Sequence, residues 1–350
     1  MKFAFLKAGV ALRLLLATLF LAVTAYSQSF PVIKTINVNI HPFGAATSPD
    51  GNQVWVANSG SVTKNSNKVT IIDVPTLTEQ PKKITVGNFP EDIAFTSDGA
   101  TAFVTNSSDA TVSVIDTATE TVRQTVAVPR GITFPFGIVL NKKQNKAFIT
   151  DLAGVNQGVV VLNTANTQNV TTDGTVGVFG QPGRLDLRPV GNEIVVGTND
   201  PTTGDPAIVV IDGDTKEIVH ELLLPGHPDA MPQGLAVTTD SRFAYVGLFD
   251  FTDHQGGVWV IDLLHLTTVT VVNTGDPEIS GVRATPDGRF IFATNFSLGQ
   301  AVAISTSTNT VVSTTNVGRN PNDIAFTLDS SEAFVTNQGD TTVSVISIPQ

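Results

Sequence analysis

The feature that most limits what this chain can become is a phrase repeated seven times along it. Each copy has an apolar strand, a turn, a second strand, a loop, and a third strand of the kind Val-x-Val-Ile-Asp. The second strand closes as Val56-Ala57-Asn58, Val104-Thr105-Asn106, Ile149-Thr150-Asp151, Gly197-Thr198-Asn199, Val246-Gly247-Leu248, Ala293-Thr294-Asn295 and Val335-Thr336-Asn337. The turns before these endings fall at 50, 98, 143, 191, 240, 287 and 329, so the spacing runs from 42 to 49 residues. Within each copy, apolar and small polar residues alternate at period two, rich in Val, Ile, Thr and Phe, and no helical period competes. A unit of about 45 residues with room for four short strands is a propeller blade. The expected fold is all-β: a seven-bladed β-propeller of four-stranded antiparallel blades, forming one domain over 28–350.

The two ends predict how the ring shuts. The last copy supplies Asp323–Thr327, Ala333–Asn337 and Thr342–Ile348 and then lacks an outer strand. Val32–Val38 has the composition of that missing strand, like Val122–Val128 and Val311–Val317. The N-terminal strand is therefore expected on the outside of the last blade, which removes an open sheet edge and joins both ends of the chain.

Residues 1–27 read as a secretory signal peptide. Lys2, Lys7 and Arg13 give a positive start, Leu14 to Val23 is an apolar run, and Ala25 and Ser27 are small residues preceding a cleavage point before Gln28. An apolar run of ten spans about 15 Å as a helix, half a bilayer core, so a lasting anchor is not expected. The formal charge is −11 and there is no cysteine. Removing the three leader cations takes the mature chain from −11 to −14. Absence of cysteine excludes disulfides, thiol nucleophiles and cysteine metal sites, and suits an oxidising compartment. A periplasmic or extracellular, monomeric protein is the expectation. The acidic balance opposes a nucleic-acid groove.

Several copies share a further pattern: Ser48-Pro49-Asp50-Gly51 with Val56-Ala57-Asn58, Thr96-Ser97-Asp98-Gly99 with Phe103-Val104-Thr105-Asn106, Pro286-Asp287-Gly288 with Ala293-Thr294-Asn295, and Phe334-Val335-Thr336-Asn337. In these the chain resembles the YVTN-repeat seven-bladed propellers, which include YncE-like periplasmic proteins and surface-layer repeat proteins. The resemblance covers 32–348 and implies an exported binding scaffold. The third and fourth copies depart at the turn, with Asn141-Lys142-Lys143 and Pro189-Val190-Gly191, and the fifth ends its second strand in Leu248. Blades 3 to 5 are thus the irregular sector. DNA binding, suggested by some YncE-like relatives, is opposed by the charge.

Recurrent residues serve the blade. The Asp-Gly pairs supply the positive φ of tight connections. Asp73, Asp116, Asp212 and Asp262 are placed to accept N–H groups of the turns that follow, and Asn58, Asn106, Asn199, Asn295 and Asn337 to satisfy loop backbone near the channel. Trp55 and Trp259 are expected in packing. Functional residues should be those that differ between blades, at the loops leading into the innermost strands, where all blades converge. There His41, Phe43, Asp92, Phe136, Arg184, Met231, Arg283 and Asp323 are the candidate ligand-binding residues. Phe89 and Phe134 extend the aromatic set. A second cluster on blade 5, His227, Asp229, Asp250, Asp253 and His254, is the candidate metal or acid–base site. Its spacing matches no ligand motif, and any divalent cation held by the protein would sit there; no cofactor is otherwise implied. Two functions follow: a non-catalytic scaffold binding a protein or small molecule at its loop-bearing face, and a propeller-type lactonase or lyase using His and carboxylate groups at the mouth.

Overall fold

The computed structural model describes residues 29–61, 63–152, 158–228, 230–250 and 257–350. The leader reading of 1–27 lies outside the described residues, as do Asp229, Asp253 and His254. The alternation of the sequence becomes strand throughout: seven antiparallel sheets of four strands each stand around a common axis. The innermost strands, in order from blade 1 to blade 7, are Pro42–Thr47, Pro90–Phe95, Pro135–Leu140, Leu185–Arg188, Met231–Val237, Ile279–Ala284 and Pro321–Phe326. Each touches its neighbours on both sides, and the seventh meets the first.

Ring closure follows the predicted plan. Val32–Asn37 lies antiparallel on Thr342–Ser347, with Thr35 opposite Ser344 and Asn37 opposite Thr342. That sheet runs in spatial order from Val32–Asn37 through Thr342–Ser347 and Glu332–Asn337 to Pro321–Phe326. Ahead of the strand, Phe30 is a contact the repeat pattern did not predict. Its ring stacks on Phe292 at 5.8 Å and meets Phe290 edge-on at 5.4 Å. Its carbonyl accepts a hydrogen bond from the Thr315 hydroxyl at 2.7 Å. The N-terminal segment therefore grips blade 6 as well as blade 7.

The core lies between blades, because each sheet is apolar on both faces. Seven apolar clusters form, each shared by two adjacent blades. One large ring at the centre of the second strand anchors most of them: Trp55, Phe103, Phe148, Tyr245, Phe292 and Phe334 are all essentially inaccessible to solvent. Blade 4 has Val195 at that place. Burying such rings contributes about 3 kcal/mol each in transfer free energy.

The turn chemistry also follows the sequence. Gly51, Gly99 and Gly288 have φ of 74°, 69° and 72°. Asp73 and Asp116 accept the N–H groups of Thr76 and Thr119, and Asp212 and Asp262 accept those of Thr215 and His265. The strand-ending asparagines depart in part from expectation. Asn106 and Asn337 donate to hydroxyls of their own third strands, at Thr111 and Ser113 and at Thr342 and Ser344. They bind the second strand to the third; Asn337 also accepts the Gly318 N–H, Asn199 accepts that of Gln181, and Asn295 donates to the Thr274 carbonyl, so these three reach loop backbone as expected.

Candidate functional site: a sealed axis beneath an aromatic mouth

At the start of the innermost strands, the second residue after the leading proline decides how closely blades approach. In blades 1 and 3 it is Gly44 and Gly137, and in blades 2 and 7 it is Asp92 and Asp323. A Cβ on Gly44 would lie 2.2 Å from the Glu91 carbonyl oxygen, so glycine is required there for the blades to meet. Each aspartate uses this closeness. Asp92 Oδ1 accepts the N–H of Ile93, and its Oδ2 accepts that of Ile138 on blade 3. Asp323 Oδ1 accepts the N–H of Ile324, and its Oδ2 accepts that of Ala45 on blade 1. Both carboxylates thus fasten neighbouring blades.

Four of the predicted residues, Asp92, Arg184, Asp323 and Arg283, come together here as an alternating square drawn from blades 2, 4, 7 and 6. Its sides are Arg184 to Asp92 at 2.8 Å, Arg184 to Asp323 at 3.7 Å, Arg283 to Asp323 at 2.9 Å and Arg283 to Asp92 at 3.8 Å. Arg283 grips Asp323 with two parallel bonds, Nε to Oδ1 at 3.0 Å and an Nη to Oδ2 at 2.9 Å, the strong fork geometry of guanidinium with carboxylate. Neither terminal nitrogen of Arg184 makes a directed hydrogen bond, so its hold is Coulombic and by stacking. Burial pushes the Asp323 carboxyl up, but Arg283 and Arg184 outweigh it and hold the group below the ordinary carboxylate range. Burial works against the Arg283 charge in the same way, and Asp323 and Asp92 more than restore it.

Phe43 and Phe136 cover this square. They come from blades 1 and 3, meet edge-to-face at 5.7 Å, and receive the Arg184 guanidinium at 5.6 and 4.8 Å from their ring centres. Cation–π contact of a desolvated arginine contributes on the order of 2 kcal/mol. Phe43 is half-buried and Phe136 is buried. Phe89 and Phe134 are half-buried beside them on the loops of blades 2 and 3. His41 and Met231 stand half-buried on blades 1 and 5, outside the square. His41, Phe89 and Asn320 take left-handed φ of 50°, 56° and 50° immediately before their prolines. For a residue as bulky as Phe89 this conformation carries backbone strain.

Two acidic groups of the axis escaped sequence reasoning. Glu91 is buried on the innermost strand of blade 2; the Ser107 hydroxyl donates to its Oε1 at 3.1 Å, and the Ser59 hydroxyl lies 3.5 Å from Oε2. Burial pushes its carboxyl up to about 7, with the Ser107 hydrogen bond and the Arg184 charge opposing. Asp186 on blade 4 accepts the N–H of Leu187 and, from blade 5, that of Val237, both at 2.8 Å. Burial raises its carboxyl too, against those hydrogen bonds and the field of Arg283. Glu91 was legible as an acid standing where other blades have Phe43, Phe136 or Gln233. Asp186 was hidden by the irregular turn of blade 4.

The blade 5 cluster is only partly described. His227 Nδ1 lies 3.8 Å from Asp250 Oδ2, and the imidazole meets Trp259 edge-on at 5.4 Å. Among the described residues no group of three or more His, Asp or Glu side chains is arranged to hold a metal ion.

This architecture is that of a seven-bladed propeller with a charge-plugged axis. A chain from the hydrazine synthase of Kuenenia stuttgartiensis has the same fold: TM-score 0.78, 16% identity, covering 88% of this chain and 96% of that one. At that identity the likeness is one of fold alone. No family model matches the chain, and no curated protein matches it.

Proposed function

We propose that this protein is an exported, non-catalytic binding propeller of the YVTN-repeat kind, holding a small molecule or protein segment at its loop-bearing mouth. The observation that carries the reading is the division of labour at the axis. The charged groups are spent on one another and on backbone N–H groups, while half-buried Phe43, Phe89 and Phe134 keep apolar surface exposed at the entry to the innermost strands. A concave apolar floor with a few polar groups around it is the usual make-up of a ligand site. The YVTN-type repeats and the leader-like residues 1–27 support the exported, periplasmic or extracellular part of the reading.

The test is a thermal-shift screen of the purified protein against chemically diverse small molecules and peptides. Hits should lose at least tenfold in affinity in Phe43→Ser and Phe134→Ser, and keep it in the rim variant Val269→Thr. Hits indifferent to the mouth variants would overturn the assignment. A second reading, a lactonase or lyase on blade 5, has the His227–Asp250 approach in its favour. It requires turnover of a lactone or polyuronide that disappears in His227→Ala.

A further inference from the structure

The plug contains more acid than base. Four carboxylates, on Glu91, Asp92, Asp186 and Asp323, share the axis with two guanidiniums, on Arg184 and Arg283. Arg283 feels Asp323, Asp92 and Asp186, and Glu91 feels Arg184 and Asp92. Fully ionised, the cluster would carry two uncompensated negative charges among groups that are mostly buried, Glu91, Asp92, Arg184 and Asp323 almost fully and Asp186 and Arg283 half. Loss of hydration makes that unfavourable, so a group in such a cluster takes up a proton instead.

Geometry decides which group this is. Asp92 and Asp323 each touch both guanidiniums and each accept two backbone N–H bonds. Asp186 has two backbone N–H donors. Among the described residues Glu91 has neither a guanidinium within ion-pair distance nor a backbone donor. Its donors are the Ser107 hydroxyl and, more weakly, that of Ser59, which points mainly to the Pro90 carbonyl at 2.7 Å. The groups facing it are therefore Ser59 from blade 1, Ser107 and Asp92 from its own blade, and Arg184 from blade 4.

We propose that Glu91 is the proton-binding group of the plug: its protonation sets the charge of the axial cluster, and with it the hold of Arg184 beneath Phe43 and Phe136. With Glu91 neutral, the Arg184 guanidinium answers only to Asp92 and Asp323 and stays stacked under the rings. With Glu91 ionised, a third carboxylate competes for the same guanidinium and repels Asp92. Burial already places the Glu91 transition near neutral pH. The state of the mouth floor therefore follows the acidity of the medium. The functional weight of this switch rests on reading the mouth as the binding face; the proton equilibrium itself does not.

The experiment is carbon and nitrogen NMR of the free full-length protein, labelled at Glu and Arg, titrated from pH 5 to 9. The Glu91 carboxyl carbon, assigned by its loss in Glu91→Gln, should titrate with a midpoint near 7. The Arg184 Nε resonance should move with the same midpoint, and be still in Glu91→Gln. Ser107→Ala removes a donor to the ionised form and should carry both midpoints upward together; it also serves if Glu91→Gln does not fold. A Glu91 carbon at its ionised position throughout, or an Arg184 resonance that stays still while Glu91 titrates, overturns the proposal. No ligand is present, so failure of the mouth reading would leave these signals intact.

Discussion

At the scale of single residues, the axis shows how a repeat is broken to make something particular. Gly44 and Asp92 occupy matching places in neighbouring blades, yet one provides space and the other charge. Gly44→Ala would push a methyl into the Glu91 carbonyl and should destabilise the fold by about 3 kcal/mol, the upper end of overpacking costs, as read by denaturant unfolding. Glu91 makes a second prediction through linkage. Its carboxyl lies near 7 in the folded protein against an ordinary 4.5, so the folded state binds the proton more tightly than the unfolded one. The associated stability is complete below about pH 4.5 and is lost as pH rises to about 7, a fall on the order of 3 kcal/mol. Asp323 acts in the opposite sense: its depressed carboxyl contributes above the ordinary range and is lost only on strong acidification. Thermal midpoints measured from pH 5 to 8 should therefore fall in the parent protein and fall much less in Glu91→Gln, where only the smaller contribution of groups such as Asp186 remains. These residues also mark what sequence reading reaches. Asp92, Arg184, Arg283 and Asp323 were legible as exceptions to a repeat that could ring the channel and pair there, but which of them meet was not, since which blades face across an axis depends on strand tilt and stagger. Glu91 fell at a place where other blades carry uncharged residues such as Phe43, Phe136, Gln233, Ser280 and Asn322.

At the scale of the element, each strand is legible where burial dictates its alternation and less so where a neighbour decides. The second strands are almost wholly buried because both faces are covered, and their central rings recur in nearly every copy. The outermost strands carry register shifts against their partners, as at Val114/Ile115 and Val260/Ile261. Nothing in composition marks such a bulge, which arises from the twist of the sheet. The segment before the first strand is a similar case. Phe30 precedes the repeat and no strand pattern includes it; its value comes from Phe290 and Phe292, about 260 residues later in sequence. Phe30→Ala should cost about 3 to 4 kcal/mol and loosen the outer strand first. Hydrogen exchange would show this as faster exchange over 32–37 than over the second strands. Uniform protection there would contradict it.

At the scale of the whole molecule, seven sheets share seven cores, so no blade owns its apolar surface. Stability should therefore be cooperative around the circle, with one unfolding transition rather than seven. Deleting residues 29–37 would uncover Thr342–Ser347 and open the cluster that holds Phe30 and Ile348. The expected outcome is a thermal midpoint lower by ten degrees or more, with self-association through the bared strand, measured by calorimetry and light scattering. An unchanged midpoint would mean that the ring is held mainly by its inner strands. The number of blades, the closure and the turns were all readable from spacing, because each rests on local alternation repeated seven times. The plug was not, because it joins blades 2, 4, 6 and 7 through contacts with no sequence period.

The pairing of Val32–Asn37 with Thr342–Ser347 also sets a timetable for synthesis. The earliest strand to leave the ribosome must wait, unmatched, until the latest has been made. A nascent or truncated chain carries two sticky borders at once, and each can be satisfied by another copy as readily as by its own. Concentration during refolding should thus decide between closed circles and tangled chains, whatever the final stability of the wheel.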